Sequence, residues 1–132
     1  MASKKLNSVY IKDAFSIAGP VEKEGSIKDY DLVMDDYYYR AKTFEQAEIR
    51  MQRVVIDNLL RKNHLLHSDI DLLVSGDLSN QISVSCYAAS NYNIPFLGVY
   101  SACASFVEGL ILASELIETR KKANAVCVTS SH

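Results

Sequence analysis

Three short apolar runs constrain this chain more than any other feature. Ile70, Leu72, Leu73 and Val74 carry the first, in "DIDLLVSGD"; Phe96 to Tyr100 form the second, after Pro95; "AVCVTSS" holds the third. Each is too short for a helix and lacks the alternation of a strand with one wet face. Such runs read as strands covered on both faces, the signature of a parallel sheet. Parallel neighbours need long crossovers, and helical patterns lie between these runs.

The clearest helical pattern runs from Thr43 to Asn63. Thr43 and Gln46 have capping-box spacing, in which two side chains satisfy the free amides of a helix start. Phe44, Ala47, Met51, Val54, Val55 and Leu59 recur at three- and four-residue steps and predict the buried face. Asn63 and the polar "HSD" end it, leaving His64 and His67 as turn residues. Residues 78 to 92 read as a polar loop leading into a small-residue helix.

A further helix is predicted from the Cys103 turn to about Lys122. Phe106, Leu110, Ala113 and Ile117 make its stripe, widened by Val107 and Ile111, which predicts deep burial. Gly109 costs such a helix roughly 1 kcal/mol against Ala, so close approach of another backbone is expected there. Arg120, Lys121 and Lys122 suit the negative end of its dipole.

The beginning of the chain is less regular. Residues 8 to 18 suggest one strand ended by Gly19-Pro20, and residues 21 to 29 a loop. "YDLVMDDYYYR" reads as a loop or short helix packed by its tyrosines; a ligand surface is the alternative. The predicted order is therefore strand–helix–strand–helix–strand–helix–strand, an α/β fold with a mainly parallel sheet and helices on both faces. At 132 residues it makes one domain, 48% hydrophobic and 23% charged, as in an ordinary globular chain.

Charge and cysteines exclude several functions. A net charge of −2 gives no basic field for nucleic acid. No run is long and apolar enough to span a bilayer, and the start "MASKKLNSVYIKD" lacks a signal-peptide core, so a cytosolic setting is expected. Cys86, Cys103 and Cys127 are odd in number and widely spaced, fitting neither a disulfide framework nor, with His64, His67 and His132, a metal site.

Cys103 is the candidate site residue. It stands where an apolar strand gives way to a helix, at the carboxyl end of a parallel strand, where open α/β sheets place ligands. A thiol at a helix start meets free amides and the positive dipole end, which favour thiolate. Cysteine is equally a small core hydrophobe, and Cys86 and Cys127 are read that way.

"GVYSACASFVEGL" resembles the nucleophile turn of the thiolase and β-ketoacyl synthase superfamily. "SGDLSNQISVSCYAAS", "IPFLGVYSACASFVEGL" and "VTSSH" are similar to one branch of it, the stage V sporulation protein AD family of endospore formers. The resemblance implies a thiolase-like fold of two similar halves in an αβαβα arrangement, usually dimeric. Residues 1–132 would be a single partial domain, the N-terminal part of one half, from a fragment or truncated product. It implies binding of dipicolinic acid and support of its uptake into the developing spore, with other stage V sporulation membrane proteins as partners. The expected location is cytoplasmic, peripheral to the spore inner membrane.

Cys103 would then hold the superfamily's nucleophile position, and no cofactor is expected. Asn80 and Gln81, after a strand expected beside the Phe96 to Tyr100 strand, are candidate ligand contacts through their side-chain amides, with loop caps as the alternative. Condensing relatives use a histidine plus a second histidine or asparagine from the other half. None of His64, His67 or His132 matches those positions, so a non-catalytic role is expected. The alternative is a thiolase- or ketoacyl-synthase-type acyl transferase using Cys103. A homodimer through residues 78 to 90 is also implied, and the small residues Ser83, Ser85, Ala88, Ala89 and Ser90 would permit close packing.

Overall fold

The computed structural model describes residues 3–120 and 123–132. Its main sheet has three parallel strands. The middle one is β3 (Leu72–Gly76), flanked by β4 (Phe96–Gly98) and β5 (Ala125–Thr129). Leu73 pairs with Phe96 on one side, and Leu72 through Gly76 pair with Ala125 through Thr129 on the other. The three apolar runs are thus the three strands.

Pleating sends alternate side chains to opposite faces. Leu73, Val126 and Val128 face one way, joining Ile56 and Leu60 of α1 (Phe44–Lys62) and Ala89 of α2 (Ser83–Ala89) in the larger core. Val74 faces the other way and packs with Val99 and with Ala113 of α3 (Ser105–Thr119). Burying one such side chain contributes roughly 2 kcal/mol. Helices therefore cover both faces, as the sequence predicts.

The helix α1 begins where its cap chemistry places it. Thr43 accepts from the Gln46 amide at 3.3 Å. The Gln46 side chain accepts from the Lys42 amide at 3.2 Å, one residue before the partner a full capping box would use. Its buried face differs from the predicted stripe. Ala47, Glu48, Met51, Gln52, Ile56 and Leu60 are buried, while Phe44 is exposed and stacks on Tyr38. The face is turned because polar residues have partners beneath it.

Four further readings are corrected. Of residues 8 to 18, only β1 (Ile17–Ala18) is strand, paired in parallel with β2 (Leu32–Val33) in a separate two-stranded sheet. The 30–40 segment is therefore not wholly loop or short helix. Asp31 fixes that pairing by accepting from the Ser16 amide at 2.7 Å. Instead of filling core, Cys86 lies exposed on α2, whose inward residues are Val84, Ser85, Ala88 and Ala89. And α3 is not deeply buried: Phe106, Val107 and Ile111 are 47%, 58% and 58% exposed.

Gly109 marks a close approach, but to side chains rather than another backbone. A Cβ there would lie 2.6 Å from Cys127 Sγ and 3.3 Å from Val74 Cγ1. Cys127 is half-buried, and burial pushes its thiol up to about 11, so it is the core cysteine expected. The expected basic cluster lies partly outside the described residues, at Lys121 and Lys122; α3 ends at Thr119.

The N-terminal segment straps the two helical layers together. The amides of Asn7 and Ser8 donate to Glu118 of α3, each at 3.0 Å. Asp13 then accepts from Lys62 at 2.9 Å and from Asn63 at 3.0 Å, at the end of α1.

Candidate functional site

A cleft of about 310 Å³ opens at the carboxyl ends of β3 and β5. Gly76, Asp77 and Leu78 form one wall, Ala102, Cys103, Ser105 and Phe106 a second, and Thr129, Ser130 and Ser131 the third. Cys103 sits in a 3-10 turn, Ala102–Ala104, just before α3 begins, and is exposed. Ala102 adopts φ 48°, a left-handed conformation that a residue with a Cβ rarely takes. The turn is held by Ser105, whose Oγ accepts from the Ser101 amide at 3.0 Å. The opening amides of a helical turn have no acceptor within it, and those of the 3-10 turn Ala102–Ala104 belong to Ala102 and Cys103.

Asn80 and Gln81 do not line this cleft. They occupy the exposed 3-10 turn Asn80–Ile82 after β3. Gln81 and Ile82 take φ 57° and 48°. The Ile82 side chain lies over Gly98 of β4, where a Cβ would be 2.3 Å from Ile82 Cδ1. The structure thus brings Cys103 into the cleft and leaves the two amides beside it.

Beneath the cleft runs a buried polar chain that the sequence reading misses. Gln52, 1% exposed, donates through Nε2 to Ser85 Oγ at 3.1 Å and to Ser130 Oγ at 2.7 Å. Its Oε1 accepts from Ser75 Oγ at 3.0 Å. Ser130 Oγ in turn donates to Glu48 Oε1 at 2.6 Å. Asp77, also 1% exposed, accepts from the Ser79 amide at 2.8 Å and the Ser85 amide at 2.7 Å. The available signal was spacing. Glu48 and Gln52 share an i, i+4 line with Ile56 and Leu60, so two polar residues lie on an apolar ridge.

The two carboxyl groups are tuned in opposite directions. Burial pushes Asp77 up, but hydrogen bonds from Ser79 and Ser85 outweigh it and hold the group below its ordinary value. Burial also pushes Glu48 up; the Ser130 hydrogen bond opposes this, and the negative charge of Asp77 adds to it, so the net direction is upward.

Among the described residues no cluster of His, Cys, Asp and Glu could hold a metal ion. His132 contacts the Tyr37 carbonyl and the Phe44 ring and is not among the residues lining the cleft. No helix among the described residues is long and apolar enough to cross a membrane.

The parallel sheet with helices on both faces is a thiolase-like fold. The chain superposes on the structure of MvaS in complex with 3-hydroxy-3-methylglutaryl coenzyme A with a TM-score of 0.54. The match covers 64% of this chain and 22% of that one, at 22% identity, and it establishes the fold. The chain belongs to the stage V sporulation protein AD family, whose model matches residues 2–132. It is 35% identical over 125 residues to stage V sporulation protein AD of Bacillus subtilis (strain 168). That match takes in 94% of this chain and spans 37% of the relative's length.

Proposed function

We propose that this sporulation protein binds dipicolinic acid without turning it over and supports its uptake into the developing spore. It would act as the N-terminal part of one thiolase-like half, peripheral to the spore inner membrane and beside other stage V sporulation membrane proteins. The observation that carries the reading is the cleft, where Cys103 stands on a 3-10 turn among the hydroxyl residues Ser105, Thr129, Ser130 and Ser131. Dipicolinate is a planar aromatic dianion. Amides and hydroxyls suit its carboxylates, and Leu78 and Phe106 offer apolar surface to its ring.

Charge-assisted hydrogen bonds contribute roughly 1.5–3 kcal/mol each, so two held carboxylates support about micromolar affinity once the ring is buried. Calorimetry with dipicolinate on the whole family protein and on this chain is the test. Cys103→Arg should abolish binding, and equal affinity in both would place the ligand elsewhere. This chain should bind more weakly than the longer protein.

The second reading, acyl transfer at Cys103, is favoured by one observation. The thiol is exposed on a strained turn inside the cleft, and backbone strain of this kind collects at functional sites. Intact mass after incubation with acyl-coenzyme A separates the two: an acyl adduct on Cys103 supports transfer, and an unmodified thiol supports binding.

Homodimerisation is part of the proposal, with a changed surface. Ser85, Ala88 and Ala89 are buried inside the chain, so Ala89→Arg would break the fold instead of a dimer. The outward side of α2 carries Cys86 and Tyr87. Tyr87→Arg should lower the mass measured by sedimentation, and an unchanged mass would remove α2 from the interface.

A further inference from the structure

Of the two carboxyls beneath the cleft, Glu48 is the one bonded to the cleft hydroxyl of Ser130, and its proton decides what the cleft floor offers. Gln52 is fully engaged by three hydroxyls. Its carbonyl is occupied by Ser75, and its amide hydrogens by Ser85 and Ser130. In this arrangement Ser130 receives a hydrogen bond from Gln52. A hydroxyl carries a single proton, and that of Ser130 goes to Glu48 at 2.6 Å. While Glu48 is a carboxylate, it can only accept, and Ser130 shows the cleft a bare lone pair. When Glu48 takes a proton from solvent, its own O–H can serve Ser130 Oγ, and the hydroxyl hydrogen is freed to point into the cleft.

We propose that Glu48 is a protonation switch for anion binding in the cleft, acting through the direction of the Ser130 hydroxyl. The inference rests on the anion-binding reading above. Glu48 is a positioning residue here, because it reaches the cleft only through Ser130.

The surroundings fit this role. Glu48 is faced by Asp77 from the end of β3, by His132 beyond β5 and by Glu45 on its own helix. Burial and the two carboxylates favour its neutral form, while Ser130 and His132 oppose. An anion in the cleft adds negative charge on the Ser130 side, so protonation and binding favour each other. Linkage then requires proton uptake on binding.

The test compares the 132-residue wild type with Glu48→Gln and Ser130→Ala between about pH 4 and about pH 8. Dipicolinate is titrated by calorimetry in two buffers of different ionisation enthalpy, and inorganic sulfate by NMR. Wild-type affinity should climb relative to Glu48→Gln as pH falls, approaching a limit of about tenfold per pH unit, with proton uptake on binding. The ligand's own titration cancels in that ratio. Ser130→Ala should lose the low-pH gain, and it carries the comparison alone should Glu48→Gln not fold.

Identical profiles for wild type and both variants would overturn the switch while leaving the ligand reading intact. Sulfate binding that follows the switch, with dipicolinate inert, would overturn the ligand and support the switch. Failure of both anions to bind any of the three proteins would overturn both.

Discussion

The helices α1 and α3 invert the usual relation between hydropathy and burial. On α1, Glu48 and Gln52 are buried while Phe44 is exposed. On α3, Phe106, Val107 and Ile111 are exposed, and the buried inner face is Ser105, Gly109 and Ala113. The first helix buries polarity because Ser75, Ser85 and Ser130 wait beneath it as partners. The second helix exposes Phe106, Val107 and Ile111 on the same outer surface as Glu108, Glu115 and Glu118, while small residues face the sheet. Apolar periodicity thus reports where a helix can bury surface, and distant hydroxyls decide which polar side chains follow it in.

The comparison breaks most sharply at Gln52. Replacement by Leu fills similar space and leaves three hydroxyls without their partner, which should cost about 3 kcal/mol. Urea denaturation measures it, and a loss below about 1 kcal/mol would show the chain to be dispensable. On α3 the inner face should be next in sensitivity. The Cβ of Gly109→Ala would meet Cys127 Sγ at 2.6 Å, so despite better helix propensity the variant should lose about 1–2 kcal/mol. A gain in stability would mean that Cys127 can move aside.

The two buried carboxyls give a smaller, signed effect. Asp77 is held below its ordinary value of 3.8, so its contribution is present above that pH and lost as pH falls through the depressed value. Glu48 is raised above 4.5, so its contribution is present below that pH and lost as pH rises through the folded value. Thermal melts across this range should therefore shift in favour of Glu48→Gln as pH rises above 4.5, and the difference should stay flat if Glu48 is not raised. Smallest of all is the outer face of α3. Ile111→Ser should change stability by less than about 0.5 kcal/mol while reducing any self-association through that patch. A large loss would mean the side chain is already buried in solution.

What could be read from the sequence was local. Thr43 caps α1 through chemistry contained in four residues, and the three apolar runs are strands because no other element suits their length and composition. Cys103 could be placed at the sheet's carboxyl end from the strand-to-helix change alone. The rest depends on partners far along the chain. β1 and β2 are two residues each, and their pairing is fixed by Ser16 and Asp31. Gln52 and Glu48 join the cleft only through Ser130, 78 and 82 residues away. Asn80 and Gln81 follow the correct strand, but a left-handed turn carries them out of the cleft.

The N-terminal strap has a kinetic consequence. It fastens the ends of α1 and α3 at the edge of the sheet opposite the cleft, through contacts that are mostly exposed and worth little individually. Subglobal opening follows the weakest seam, so the protein should breathe first at that lower edge while the cysteine turn stays closed. Amide exchange should then show the last turns of both helices opening together, and clipping the strap with a protease should speed them jointly. The mouth and the hinge of this molecule would lie at opposite poles, leaving a ligand at the upper end insulated from the motion at the lower one.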